Sequence, residues 1–139
     1  MSLNKFILKD IECVLSKNGL SIYNKWIAWL KNQKNYSPHT INAYSLDFKY
    51  FINFLSHHFE KKEIEIELIK ELKLLDFRSW LSFLSSNHIK LSSKSSARAR
   101  ASIKSFISYC ILFDIIRKSE INRLLNPKIP KTIPRALSE

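Results

Sequence analysis

Residues 93–104 read SKSSARARASIK and hold four bases, Lys94, Arg98, Arg100 and Lys104, separated by serines and alanines. At about 100° per residue, a helix here has an outer arc of Lys94, Arg98, Ala101 and Ser105, flanked by Ser93, Ala97, Arg100 and Lys104. The apolar residues Ala99, Ile103, Phe106, Cys110 and Phe113 form the opposite arc. Long bases between small residues suit a helix that lies close to a groove, with charge reaching phosphates and donors reaching base edges. The plainer reading is a solvated basic face. An ordinary solvated face mixes signs, because opposite charges one turn apart support the helix. No acid stands between Asp76 and Asp114, which moves the balance toward a polyanionic partner.

A second polar set lies on residues 37–53. Ser37 precedes Pro38, a pattern that caps a helix and places proline where its missing N–H is harmless. Ser37 and Thr40 at this helix start have hydroxyls, and free N–H groups, that can take a phosphate; simple capping explains Ser37 equally well. Asn42, Ser45, Lys49 and Asn53 fall on one arc, opposite Ile41, Tyr44, Phe48, Phe51, Ile52 and Leu55. Asn and Lys are groove-reading types, although solvent exposure accounts for them equally well.

Catalytic chemistry is thinly represented. His39, His57, His58 and His88 lack metal-ligand spacing with cysteines or acids, so no metal and no cofactor are expected. Glu60, Glu63, Glu65 and Glu67 are interspersed with lysines and read as a solubilising connection. No nucleophile elbow, phosphate loop or Cys/His pair appears, and no catalytic residue or small-molecule substrate is assigned.

The elements that must position these residues are helical. The chain has 139 residues, 45% hydrophobic and 12% aromatic, with one glycine, Gly19, and four prolines. That length fits one ordinary domain with a real core, and so little glycine argues against turn-rich sandwiches and barrels. Helices are predicted at about 3–17, 21–34, 38–57, 74–87, 93–113 and 119–125, with Asn18-Gly19 stopping the first and Asn87-His88 the fourth. The 21–34 helix carries Ile22, Trp26, Ile27 and Leu30, and the 74–87 helix Leu75, Phe77, Trp80, Leu81, Phe83 and Leu84. The Glu/Ile alternation of 58–67 has no evident strand partner and is read as an acidic connection. From Asn126 the prolines alternate with bases, an extended linker.

The net charge is +11, from 23 basic and 12 acidic residues. It divides as +4 over 1–59 (7 − 3), −2 over 60–76 (4 − 6) and +9 over 77–139 (12 − 3). The excess in the C-terminal half favours nucleic acid. Cys13 and Cys110 are expected as buried free thiols in a reducing compartment. No apolar run spans a membrane and no signal peptide is evident, so a cytoplasmic protein without membrane partners is expected.

Ser37-Pro38-His39-Thr40-Ile41-Asn42-Ala43-Tyr44-Ser45-Leu46-Asp47-Phe48 resembles the S-x-x-T-x-x-A-Y-x-x-D-L stretch of Xer-type tyrosine recombinases of the phage-integrase family. Leu91 to Arg98 resembles the family's L-S-x-x-S-x-x-R, and Ile103 to Tyr109 its L-x-S-F-x-x-Y. Asn126-Pro127 with Pro130-Lys131 and Pro134 to Ser138 resembles its linker. The resemblance covers about residues 20–139. It implies an all-α, SAM-like core-binding domain: a small bundle of four core helices with extra short helices at both ends. It divides the chain into an N-terminal helical extension (1–19), a core-binding domain (20–126) and a linker (127–139) toward a catalytic domain outside these residues. The implied partners are a double-stranded DNA recombination site and other recombinase protomers on it, with no strand cleavage by this segment alone. The two polar faces are then candidate DNA contacts: Ser37, His39, Thr40, Asn42 and Lys49 from one helix, and Lys94, Ser95, Arg98, Arg100 and Lys104 from the other. Lys131 and Arg135 join them from the linker. The alternative is a helical interaction or oligomerisation module whose basic face meets an acidic partner, with some of the aromatic-rich helices around Trp26, Trp29 and Trp80 left exposed.

Overall fold

The structure is a computed structural model that describes residues 6–86 and 89–124. Among these residues six α-helices and a 3₁₀ turn follow one another: α1 Ile11–Val14, α2 Lys17–Asn32, α3 Pro38–Phe59, α4 Ile66–Lys70, α5 Leu74–Leu84, α6 Ser93–Leu112 and the turn Glu120–Arg123. The four longest, α2, α3, α5 and α6, are the predicted core helices, and the architecture is the all-α bundle expected. The anticipated stops at Asn87-His88, the residues from Leu125 onward and the linker lie outside the described residues.

Serines start the helices as their types dictate. The side chains of Ser16, Ser37 and Ser92 accept from the backbone N–H of Gly19, Thr40 and Ser95 at the heads of α2, α3 and α6. Asp76 does related work at α5: its Oδ2 accepts from the Lys73 N–H at 2.9 Å, and its Oδ1 meets His58 Nε2 at 3.0 Å, tying α5 to the end of α3.

The core lies where apolar faces of α2, α3, α5 and α6 converge. Trp26, Leu30, Phe48, Phe51, Ile52, Leu55, Phe77, Trp80, Ile103, Phe106 and Cys110 have no exposed surface. Phe48 and Phe106 rings sit 4.5 Å apart and Trp26 meets Phe106 edge-on at 5.3 Å, so α2, α3 and α6 are locked by aromatic contacts. Trp26 Nε1 donates to Ser105 Oγ at 3.2 Å, which satisfies its polar end.

Several expectations are corrected. Among the described residues of the expected 3–17 helix, only one turn forms before α2 begins at Lys17, because Leu15 turns extended to meet Ile64. Gly19 stops nothing. It lies in the first turn of α2, buried, where a Cβ would meet Leu15 Cδ1 at 2.8 Å and Cγ at 2.9 Å. Left-handed backbone is taken instead by Asn35, Glu60, Lys90 and Asp114, which is how a chain with one glycine turns between its helices. The acidic stretch does find a partner: Ile64 N–H donates to Val14 O at 2.7 Å and Ser16 N–H to Ile64 O at 2.9 Å, a single parallel bridge. Its alternation is therefore real, with Ile64 and Ile66 buried and Glu63, Glu65 and Glu67 outward. Cys13 is exposed, since its helix ends too soon to cover it. Leu75 and Phe113, expected in the core, are 70% and 51% exposed, as each lies at the end of its helix.

Candidate nucleic-acid interface

Helices α3 and α6 make the most extensive contact in the fold, and a polar cluster sits within it. Asp47 is 4% exposed. Its Oδ2 accepts from Arg98 Nε at 2.9 Å and its Oδ1 from Arg98 Nη2 at 2.6 Å, a parallel two-pronged pair. Ser102 Oγ donates to the same Oδ2 at 2.7 Å and also lies 3.0 Å from Arg98 O. The hydrogen bond to Asp47 raises the Arg98 pKa further, against the opposing effect of burial. Tyr44, one turn before Asp47, has its hydroxyl pKa raised, first by burial and then by Tyr36 and Asp47.

This cluster alters the basic face anticipated on α6. Lys94 and Lys104 are exposed, with Ala97, Ala101 and Ser108 beside them. Arg98 stands at the flank of that face, its charge already answered by Asp47. Arg100 does not face solvent: it is 7% exposed, and burial lowers its pKa. Its place on the helix turns it toward the protein rather than outward. Ser95 is half-buried and its N–H is held by the Ser92 cap at 3.1 Å.

On α3 the polar arc divides in two. Its N-terminal part is open: Ser37, His39 and Asn42 are exposed, and Thr40, half-buried, shares a hydroxyl contact of 3.1 Å with Ser37. Its C-terminal part is covered by the extended residues before α1. Lys9 N–H donates to Asn53 Oδ1 and Asn53 Nδ2 donates to Lys9 O, both at 2.9 Å, so one side chain mimics a strand partner. Asp10 Oδ1 pairs with Lys49 Nζ at 3.3 Å, and the Phe6 ring packs 4.9 Å from Phe83. Asn53, placed on the polar arc from sequence, is thus buried, and Lys49 is engaged. Lys131 and Arg135 lie outside the described residues.

Asp47 enters the sequence reading only as a motif position, without a partner, and Ser102 not at all. A signal existed: Asp47 lies beside Phe48 and one turn from Phe51, and Ser102 between Ala99 and Phe106, so both fall on core-facing arcs where a lone polar group needs a partner. Trp26 and Trp80 are fully buried and present no surface to a partner; Trp29 is half-buried, with Lys34 Nζ 5.3 Å from its ring centre. Among the described residues no helix is long and apolar enough to cross a membrane.

The family described as "Phage integrase, N-terminal SAM-like domain" matches residues 23–112. Among individual proteins, the tyrosine recombinase XerC of Leptospira interrogans is 33% identical over 111 residues, covering 80% of this chain and 33% of that protein. The XerC proteins of Rickettsia canadensis and Rickettsia conorii are 33% and 31% identical over 118 and 119 residues, 85% and 86% of this chain. This chain thus spans about a third of the length of these relatives, 33–38%. No solved structure is significantly similar to it.

Proposed function

From the premise that this chain belongs to the phage-integrase N-terminal SAM-like domain family, we propose that it is a duplex-DNA-binding part of a site-specific tyrosine recombinase. The observation that carries this reading is the exposed face of α6: Lys94 and Lys104 are separated by the small residues Ala97 and Ala101, in a segment without an acid from Phe77 to Phe113. Long cations reach phosphates from there, while the alanines let the helix approach the groove. The head of α3 contributes the side chains of Ser37, His39, Thr40 and Asn42, the Thr40 N–H being taken by the Ser37 cap. Lys49 joins if Asp10 releases it, and Lys131 and Arg135 follow the backbone from the linker. Arg98 and Ser95 lie beside the same face; Arg100, being buried, is left out of the contact set. Strand exchange belongs to the whole recombinase, and protomers meet on its recombination site.

Fluorescence anisotropy of the chain with labelled duplex DNA tests this reading. Neutralisation of about five phosphates gives a slope of log K against log salt near −4.5. Replacing Lys94 and Lys104 together with alanine should bring the slope to about −2.7. A salt-insensitive affinity, no affinity for duplex, or an unchanged slope in the double variant would refute it.

A further inference from the structure

We propose that Arg98 reads a guanine edge and that Asp47 holds it in the reading position. This inference rests on the assignment of α6 to DNA. A guanidinium has five N–H donors in a rigid plane. Two of them, on Nε and Nη2, are committed to the Asp47 carboxylate at 2.9 Å and 2.6 Å. The Nη1 hydrogens and the second Nη2 hydrogen remain at the far end of the plane. Among the described residues, no side chain or carbonyl accepts from Nη1.

The pair is built asymmetrically. The Asp47 side chain is 4% exposed, whereas the Arg98 side chain is 39% exposed, so the carboxylate lies inside and the guanidinium reaches the surface. Ser102 fixes the carboxylate in turn at 2.7 Å. The plane of the arginine is therefore set before any ligand arrives, and little rotamer freedom remains to be lost on binding. Ala97 and Ala101 next to it are exposed and small, which allows a close approach of the groove.

Electrostatics select the kind of acceptor. Asp47 cancels the charge of Arg98 and its own negative charge opposes a phosphate nearby. The donors at the outer end are unaffected in number. A neutral edge with two adjacent acceptors is the better partner, and guanine O6 and N7 form that edge in the major groove. Adenine presents a donor in place of one acceptor, so the same fork discriminates against it.

The test uses the full 139-residue chain. Selection from a randomised duplex library with sequencing identifies preferred bases. Anisotropy titrations at several salt concentrations then compare the selected duplex with one whose key G·C pair is changed to A·T. The wild type should prefer guanine at one position by about five- to hundredfold. R98A and R98K should each lose that preference while the salt slope stays unchanged; D47N should lose it too, its freed cation steepening the slope by up to about 0.9. R98K matters most, because it keeps a cation opposite Asp47 but has no fork; circular dichroism checks that each variant is folded. K104A should do the reverse, lowering the slope by about 0.9 and keeping the base preference. A guanine preference that survives R98K or D47N, or a slope reduced by R98A as by K104A, would overturn the inference. So would salt-dependent binding with no base preference, which leaves the DNA-binding reading intact. Failure to bind any duplex would remove both.

Discussion

Truncating either partner of the Asp47–Arg98 pair should destabilise the fold unequally, and the direction follows from which end is buried. In Arg98→Ala the carboxylate, 4% exposed in the native chain, loses both guanidinium bonds and keeps only Ser102 Oγ. Breaking a fully buried pair from one side costs about 3–5 kcal/mol. Here the vacated arginine site opens to solvent, since that side chain is 39% exposed, and water reaching the carboxylate reduces the loss to about 2–3 kcal/mol. In Asp47→Ala the guanidinium turns outward into water and Ser102 keeps its contact with Arg98 O, so the loss is about 1–2 kcal/mol. The double variant should resemble Asp47→Ala, because Arg98 has no buried charge left to answer. Urea denaturation followed by circular dichroism measures all three. Arg98→Ala costing less than Asp47→Ala, or strict additivity in the double variant, would refute the claim that the buried carboxylate dominates the cluster.

Three other outcomes follow from particular contacts. Gly19→Ala should lose about 1 kcal/mol in the same denaturation assay, since overpacking against Leu15 at 2.8 Å outweighs the usual helix gain of alanine. In the native chain at pH 8, a chromogenic disulfide reagent should modify Cys13 quickly and Cys110 only at the rate of opening: Cys13 is exposed, while burial pushes the Cys110 thiol up to about 12. Asn53→Ala should speed amide exchange at Lys9 by about five- to tenfold, because the carbonyl that accepts from that N–H is removed; mass-spectrometric hydrogen exchange on the N-terminal peptide reads this directly.

Helix positions and the central core were legible from sequence because they depend on local rules. The spacing of Phe48, Phe51, Ile52 and Leu55 defines a buried face whatever packs on it, and Ser37-Pro38 marks a helix start by its own chemistry. The net charge and the acid-free run from Phe77 to Phe113 are likewise properties of the chain alone. What periodicity does not decide is what covers an exposed-looking face. Asn53 and Lys49 lie on a polar arc, yet residues 6–10 fold back over them from far along the chain, Asp10 and Lys49 being separated by 39 positions and Lys9 and Asn53 by 44. Arg98 carries a charge on paper that Asp47, 51 residues earlier, answers in space. Gly19 looks like a stop signal until Leu15, held beside Ile64, is seen to need the room of its missing side chain. The sequence by itself determined the four long helices, their apolar faces and the basic balance, because each follows from neighbouring residues. The tertiary structure alone decided which bases stay free for a partner, because ion pairing and cover depend on residues that meet only after the chain has folded.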